Sequence, residues 1–366
     1  MERAYKKVVV KIGSNVLTHA NGHLDTTRLS SLVDQIVELQ GAGIKVIVVS
    51  SGAVAAGRSE ISQHGRRLDS VSERQLFSAV GQVKLINKYY SLFHDHGVVC
   101  GQVLTTKEAF SSRTHYLNQQ NCMRTMLESG VVPIVNENDT ISITELMFTD
   151  NDELSGLVAT MMGADALIIL SNIDGIYDGD PKLPTSKVIR EVSADNSDLS
   201  EFISTSKSQF GRGGMLTKSR ISSKVADEGI EVIIANGRKA DILPQLLLGD
   251  SEADDVVATR FKPSTKGVSG IKRWIAHSDG FAKGRLVIDD NALKALLSPV
   301  ATSLLPVGVV RVEGDFEKHD IVKVESTAGQ TIAIGRISVD SAEAKASAGI
   351  RGLKPIIHYD YLYIEE

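Results

Sequence analysis

Short apolar runs take turns with longer helical patterns through the first two thirds of the chain. The runs fall at residues 8–12, 45–49, 98–104, 131–135, 166–170 and 231–235, and several are apolar at every position. Strands of that kind belong inside a parallel sheet covered on both faces, whereas half-exposed strands alternate. Between the runs, residues 27–40, 73–94, 113–129, 151–162 and 215–228 repeat their apolar positions at helical spacing. Strand and helix in alternation predict an α/β sandwich with a mainly parallel central sheet.

Residues 249–270 break the pattern. Gly249-Asp250-Ser251-Glu252-Ala253-Asp254-Asp255 and then Lys262-Pro263-Ser264-Thr265-Lys266-Gly267 read as a linker. Beyond it, residues 286–288, 308–312, 321–324, 331–337 and 355–358 are short strand-like runs separated by glycines and charged turns. That spacing predicts a small β-barrel. The expected division is a first domain over 1–258, a linker over 259–271 and a β-rich domain over 272–366.

The chain's 366 residues exceed what one hydrophobic core usually holds, which also favours two domains. Hydrophobic residues at 42% and charged residues at 23% are ordinary for a globular protein. No apolar run approaches the roughly 20 residues that cross a bilayer. The lead-in from Met1 to Lys7 is too short for a signal peptide. Cys100 and Cys122 are the two cysteines and are not spaced as C-x-x-C, so neither a disulfide framework nor a zinc site is expected. The expected place is the reducing cytoplasm. A net charge of -5 gives no general attraction to nucleic acid or membrane. Residues 271–366 carry 12 Lys and Arg against 13 Asp and Glu, so the second domain lacks the basic footprint that RNA as a main partner would demand.

Ligands of open parallel sheets bind beyond the carboxyl ends of the strands. The polar and glycine-rich segments of this chain gather there. Lys11-Ile12-Gly13-Ser14 follows the first run, Ser50-Ser51-Gly52-Ala53-Val54-Ala55-Ala56-Gly57 the second, and Asn136-Glu137-Asn138-Asp139 the fourth; Ser171-Asn172 follows the fifth. Asp150-Asn151-Asp152-Glu153 and Gly211-Arg212-Gly213-Gly214-Met215-Leu216-Thr217-Lys218 each open a helix. Lys11 is either a solvated strand end or a cation for phosphate, with the Gly13 and Ser14 amides as a cradle. Gly213 and Gly214 are either a flexible loop or the donor-rich start of a helix, with Lys218 one turn in. Asp150 and Glu153 suit a helix-capping box, which leaves Asn151 and Asp152 without a capping role. Asn136 to Asp139 are either turn-formers or an amino-acid recognition loop. His94 and His96 read as exposed side chains rather than metal ligands, Gly41-Ala42-Gly43 as a helix stop, Arg66-Arg67 as a surface pair and Trp274 as packing.

Phosphoryl transfer needs cations on the transferring oxygens, a metal on the nucleotide and an oriented acceptor. Two lysines could supply the first. The sequence has neither a G-x-x-x-x-G-K-[ST] loop nor the HRD and DFG signatures of protein kinases.

Taken in order, Lys11-Ile12-Gly13-Ser14, the segment from Ser50 to Gly57, Val135-Asn136-Glu137-Asn138-Asp139, Asp150-Asn151-Asp152 and Gly213-Gly214-Met215-Leu216-Thr217-Lys218 resemble the glutamate 5-kinases, a branch of the amino-acid kinases. Lys272-Arg273-Trp274-Ile275 and Ser303-Leu304-Leu305-Pro306 resemble the C-terminal PUA domain carried by many of them. The resemblance implies phosphorylation of the γ-carboxylate of L-glutamate by ATP with Mg²⁺, the first step of proline synthesis. It implies that Lys11 and Lys218 stabilise the transferring group and that Asp152 holds the two lysines. Ser51, Asp139 and Asn151 would bind glutamate, with Asn136 and Asp150 lining the same pocket. Lys11, Gly13, Ser14, Ser171, Asn172 and the run from Arg212 through Gly213, Gly214, Met215, Leu216 and Thr217 to Lys218 would surround ATP; no protein ligand for the metal is assigned. It further implies a homo-oligomer, feedback inhibition by L-proline and a glutamyl-phosphate reductase as partner. Arg212 stands where Thr is usual, Asn172 where Asp is common and Thr149 where Gly often precedes the Asp-Asn-Asp run. An acetylglutamate kinase or aspartokinase fits less well, because of the Asn136 to Asp139 loop and the PUA-like tail.

Overall fold

The computed structural model describes residues 5–19, 21–61, 69–111, 113–141, 151–181, 183–193, 215–249, 256–264, 275, 282–298 and 302–364. The chain forms two compact units, Met1–Ala109 with Thr114–Gly267 and Phe110–Arg113 with Val268–Glu366. No described helix is long and apolar enough to cross a membrane.

The first unit is built on strands β1 (Lys7–Ile12), β2 (Lys45–Ser50), β3 (Cys100–Thr105), β4 (Val132–Glu137), β5 (Ala166–Ser171), β6 (Glu191–Val192), β7 (Glu231–Asn236) and β8 (Ala258–Phe261). Among the described residues they pair in the order β3-β4-β2-β1-β5-β7-β8-β6. All neighbours run parallel except β7 and β8, which are antiparallel. The run-on apolar strands of the sequence are the central ones: Val8, Val9, Val10 and Ile12 have no exposed surface, nor do Leu167 to Leu170. The helices along this part of the chain are α1 (Ser14–Leu17), α2 (Thr26–Gly41), α3 (Ala53–Glu60), α4 (Ser70–Asp95), α5 (Lys107–Ser111), α6 (Arg113–Glu128) and α7 (Asn151–Met162), followed by the helix Met215–Asp227.

Two of these helices start on capping aspartates. Asp25 accepts from the Arg28 amide before α2, and Asp69 accepts from the Val71 and Ser72 amides before α4. The face of β1 that carries Val8, Val10 and Ile12 packs with Leu29, Leu32 and Ile36 of α2 and Leu85, Tyr89 and Phe93 of α4. Period-two alternation puts Val9 and Lys11 on the opposite face. That face receives α7, which is buried continuously from Leu154 to Met162.

The second unit holds a five-stranded mixed sheet, β10-β9-β11-β12-β13. Its strands are β9 (Gly284–Ile288), β10 (Val309–Gly314), β11 (Ile321–Ser326), β12 (Thr331–Arg336) and β13 (Leu362–Ile364). Leu286, Val322, Val324, Ala333 and Ile357 belong to its own core.

Two expectations change. The stretch read as linker begins inside β8: Ala258 and Phe261 are buried and the strand pairs with β7, so its first residues are sheet. Residues 355–358 were expected as a strand, but the closing strand is β13, and Ile357 makes only an isolated bridge to Leu304. Pro355 has no amide hydrogen to give to a ladder. The Arg66-Arg67 pair and Trp274 lie outside the described residues.

Candidate active site

Strand β1 is the switch point of the sheet: β2 lies on one side of it and β5 on the other, both parallel to it. Crevices at such points receive ligands in this class of fold. Here the crevice is a cavity of about 640 Å³ beyond the ends of β1, β2, β4 and β5.

Its floor is an ion-paired triad. Asp152, in the first turn of α7, has no exposed surface. Lys11 Nζ lies 2.5 Å from its Oδ1 and Lys218 Nζ 2.7 Å from its Oδ2. Burial alone would push the Asp152 carboxyl up, but the charges and hydrogen bonds of Lys11 and Lys218 hold it below the usual carboxylate range. The carboxylate also benefits from the positive end of the α7 dipole. One carboxylate between two ammonium groups leaves a net positive charge at the cavity floor. That is the environment a transferring phosphoryl group requires.

A ledge of amides stands beside the triad. Asn151 Nδ2 donates to the Ser50 carbonyl at 3.2 Å, Ser51 Oγ at 3.0 Å and Asn136 Oδ1 at 2.9 Å. Asn136 Oδ1 also accepts from the Glu137 amide at 2.9 Å, while Asn136 Nδ2 donates to Gln82 Oε1 at 2.8 Å. Two backbone groups therefore fix the orientation of both amides, since the Ser50 carbonyl can only accept and the Glu137 amide can only donate. Among the described residues no donor reaches Asn151 Oδ1, an acceptor on a residue that lines the cavity.

Asp139 completes that side. Arg74 reaches it from α4 with Nε at 2.9 Å and Nη2 at 2.6 Å from Oδ1, and Nη2 lies 3.4 Å from Glu137 Oε2. Ser78 donates to Asp139 Oδ2 at 3.3 Å. Arg58, from α3, also lines the cavity.

Ser51, Asn136, Asp139, Asn151, Asp152, Lys11 and Lys218 thus meet at one cavity, as do Gly13, Ser14, Ser171 and Asn172. Met215 and Thr217 begin the Lys218 helix without lining it. Asp150, Arg212, Gly213, Gly214 and Thr149 lie outside the described residues, as does the Leu216 side chain. The cradle reading of Gly13 needs one correction, because its amide donates to the Leu170 carbonyl at 3.2 Å. A Cβ at Gly13 would lie 3.2 Å from the same carbonyl oxygen and 3.6 Å from Lys11 Nζ. Glu153 is paired with Lys107 at 3.1 Å.

Arg58, Arg74, Ser78 and Gln82 are the residues that sequence reasoning passed over. A signal for three of them exists. Positions 74, 78 and 82 continue toward the N-terminus, at helical spacing, the buried stripe of Leu85, Tyr89 and Phe93. The stripe turns polar where it reaches the cavity.

Residues 6–236 match the amino acid kinase family, and residues 284–358 match the PUA domain. The chain belongs to the amino acid kinase family. Among curated relatives of this amino acid kinase, a protein of Bacteroides thetaiotaomicron named Glutamate 5-kinase is 60% identical over 365 residues, covering 100% of both chains. One of Chlorobaculum tepidum with the same name is 46% identical over 361 residues, 98% of each chain. A third, from Thermoanaerobacter pseudethanolicus and also named Glutamate 5-kinase, is 37% identical over 358 residues, 97% of this chain and 94% of its own.

Proposed function

We propose that this amino acid kinase transfers the γ-phosphoryl group of ATP to the γ-carboxylate of L-glutamate, giving L-glutamyl 5-phosphate for proline synthesis. The observation that carries the reading is the Lys11–Asp152–Lys218 triad set beside the Ser51–Asn136–Asn151–Asp139 ledge in one cavity. The full-length identity to proteins named Glutamate 5-kinase supports the choice of acceptor.

The acceptor carboxylate is ionised at neutral pH, so the site needs no general base. Lys11 and Lys218 draw the attacking oxygen and the transferring group together, and Asp152 fixes both ammonium groups. The gain comes from positioning and from charge that is stronger in the transition state than in the ground state. The Asn151 carbonyl oxygen and the Asp139 carboxylate are acceptors suited to the substrate ammonium.

ATP would lie on the β5 side, against Ser14, Ser171, Asn172 and Lys218; the resemblance adds Arg212, Gly213 and Gly214 to the residues that bind it. Mg²⁺ would travel with the nucleotide and neutralise its phosphate charge. The same reading carries a homo-oligomer in the cytoplasm, inhibition by L-proline at this pocket and a reductase that consumes the acyl phosphate. Residues 1–258 would be the catalytic domain and 272–366 the PUA domain.

The test is ADP release with L-glutamate, N-acetyl-L-glutamate and L-aspartate as acceptors. Release with L-glutamate alone supports the reading. Release that depends on another acceptor, or on none, replaces it.

A further inference from the structure

Among the described residues four cations line the cavity, and three of them are committed. Lys11 and Lys218 share Asp152, and Arg74 is shared between Asp139 and Glu137. Arg58 has no ion-pair partner among the described residues; its guanidinium carbon sits 5.3 Å from the centre of the Phe77 ring. We infer that Arg58 is a specificity-determining residue that binds the α-carboxylate of the substrate, the carboxylate that is not phosphorylated. The inference rests on the glutamate-kinase reading above.

Topology separates the two halves of the cavity. Helix α3 follows β2, and the Asp139 loop follows β4, so Arg58 and Arg74 belong to the β2–β4 side of β1. The nucleotide side is the β5 side, where Ser171 and Asn172 follow the strand. A five-carbon dicarboxylate with one end at Lys11 and Lys218 projects its other end toward the β2–β4 side. There it meets Asp139 and Glu137, which repel a carboxylate, and amides already spent on one another. A second carboxylate needs a free cation at that end, and Arg58 is the one the described cavity offers.

Arg58 is also held for the task. Gly52, at φ 104°, turns the chain from β2 into α3. The next residue but four is Gly57, where an added Cβ would lie 1.8 Å from the Phe77 carbonyl oxygen, so α3 and α4 touch backbone to backbone beside Arg58. The base of the side chain is fixed by that contact, and its charged end rests on the Phe77 ring. A planar guanidinium so placed offers two parallel donors, the geometry that suits a carboxylate. Arg74 holds Asp139 alongside, where the substrate ammonium would lie.

The test compares L-glutamate with 4-aminobutyrate, which keeps the ammonium and the carboxylate to be phosphorylated but lacks the α-carboxylate. In Arg58→Met, KM for L-glutamate should rise about 10- to 100-fold with kcat changed by less than about threefold. The Ki of 4-aminobutyrate as a competitor should stay within about twofold of wild type, because the missing contact is one it never made. Arg58→Lys should recover part of the L-glutamate affinity, and it stands in for the Met variant should that one unfold. An unchanged KM, or a Ki for 4-aminobutyrate that rises by the same factor as KM, overturns the assignment. Absence of glutamate-dependent product from the wild-type chain is a different result and defeats the underlying kinase reading.

Discussion

Gly81 of α4 lies so close to Ala53 of α3 that a Cβ on the glycine would come within 1.8 Å of the Ala53 carbonyl oxygen and 2.3 Å of the Gly57 amide nitrogen. Both obstructing atoms are backbone, so no side chain can swing away. Helix α3 carries Arg58, and α4 carries Arg74, Ser78 and Gln82. The close approach of the two helices therefore sets the distance between two walls of the cavity.

Gly81→Ala should force those helices apart. Overpacking of this kind costs about 1–3 kcal/mol, which lowers Tm by about 2–10 °C in a domain of this size. Affinity for L-glutamate should fall along with stability, and calorimetry beside a KM measurement checks both. A variant with wild-type Tm and KM would contradict the backbone contact.

Asp152→Asn removes the charge that lets Lys11 and Lys218 approach one another. The expected loss is about 100-fold or more in kcat, measured in single turnover, with about 3 kcal/mol or more of stability. Its pH dependence has a definite sign. The folded carboxyl titrates below the usual range, so the unfolded chain takes up the proton first as the solution is acidified. The stabilisation is complete above the unfolded value of about 4 and disappears as pH falls through the folded one. Urea midpoints between about pH 5 and 3 should drop less steeply in Asp152→Asn than in wild type.

Asn151→Asp tests the amide ledge. The new carboxylate would face the Ser50 carbonyl and Asn136 Oδ1, both acceptors, in place of a donor. KM for L-glutamate should rise about 10- to 100-fold. Asn151→Ala should be milder, since it removes the donor without adding repulsion. The reverse order would contradict the hydrogen-bond polarity described above.

Tyr5 ties the start of β1 to β7 through a 2.6 Å hydrogen bond to Glu231 Oε2. Burial, and then the bond and charge of Glu231, push its hydroxyl up to about 12. The stability it contributes is present below the unfolded value of about 10 and is lost as pH climbs toward the folded one. Tyr5→Phe should flatten alkaline unfolding across that window, read as Tm against pH.

Much of the site could be read from sequence because strand ends announce themselves. Lys11 lies at the end of an apolar run, Ser51, Asn136 and Asp139 follow others, and Asn151 and Asp152 open a helix, so the strand-end rule collects them without knowledge of the contacts. Arg74 escaped because its partner lies far away in sequence, Asp139 across 65 residues, and Arg58 because no acidic residue three or four positions away marks it. Exposed arginines on helices are usually solvated, and local spacing gives no reason to think otherwise. Helix α3 escaped too, since eight residues with a glycine among them leave little periodicity to see. Strand β8 was hidden in a charged, proline-containing stretch, where Ala258 to Phe261 carries the burial pattern of a strand. In the second unit the strand runs were legible, but the closing strand was misplaced because Pro355-Ile356-Ile357 is as apolar as a strand.

The most direct test of carboxyl phosphorylation uses L-glutamate labelled with ¹⁸O in both oxygens of the γ-carboxylate, turned over with ATP in the presence of hydroxylamine. Attack by a carboxylate oxygen on the γ-phosphorus leaves that oxygen bridging carbon and phosphorus. Hydroxylamine then attacks the carbonyl carbon and expels phosphate with the bridging oxygen attached. Transfer at the Lys11–Asp152–Lys218 triad predicts γ-glutamyl hydroxamate and an equal amount of phosphate carrying one ¹⁸O atom, with both lost in Lys218→Ala. Unlabelled phosphate without hydroxamate would show that water, not the carboxylate, receives the phosphoryl group, and would contradict the assignment.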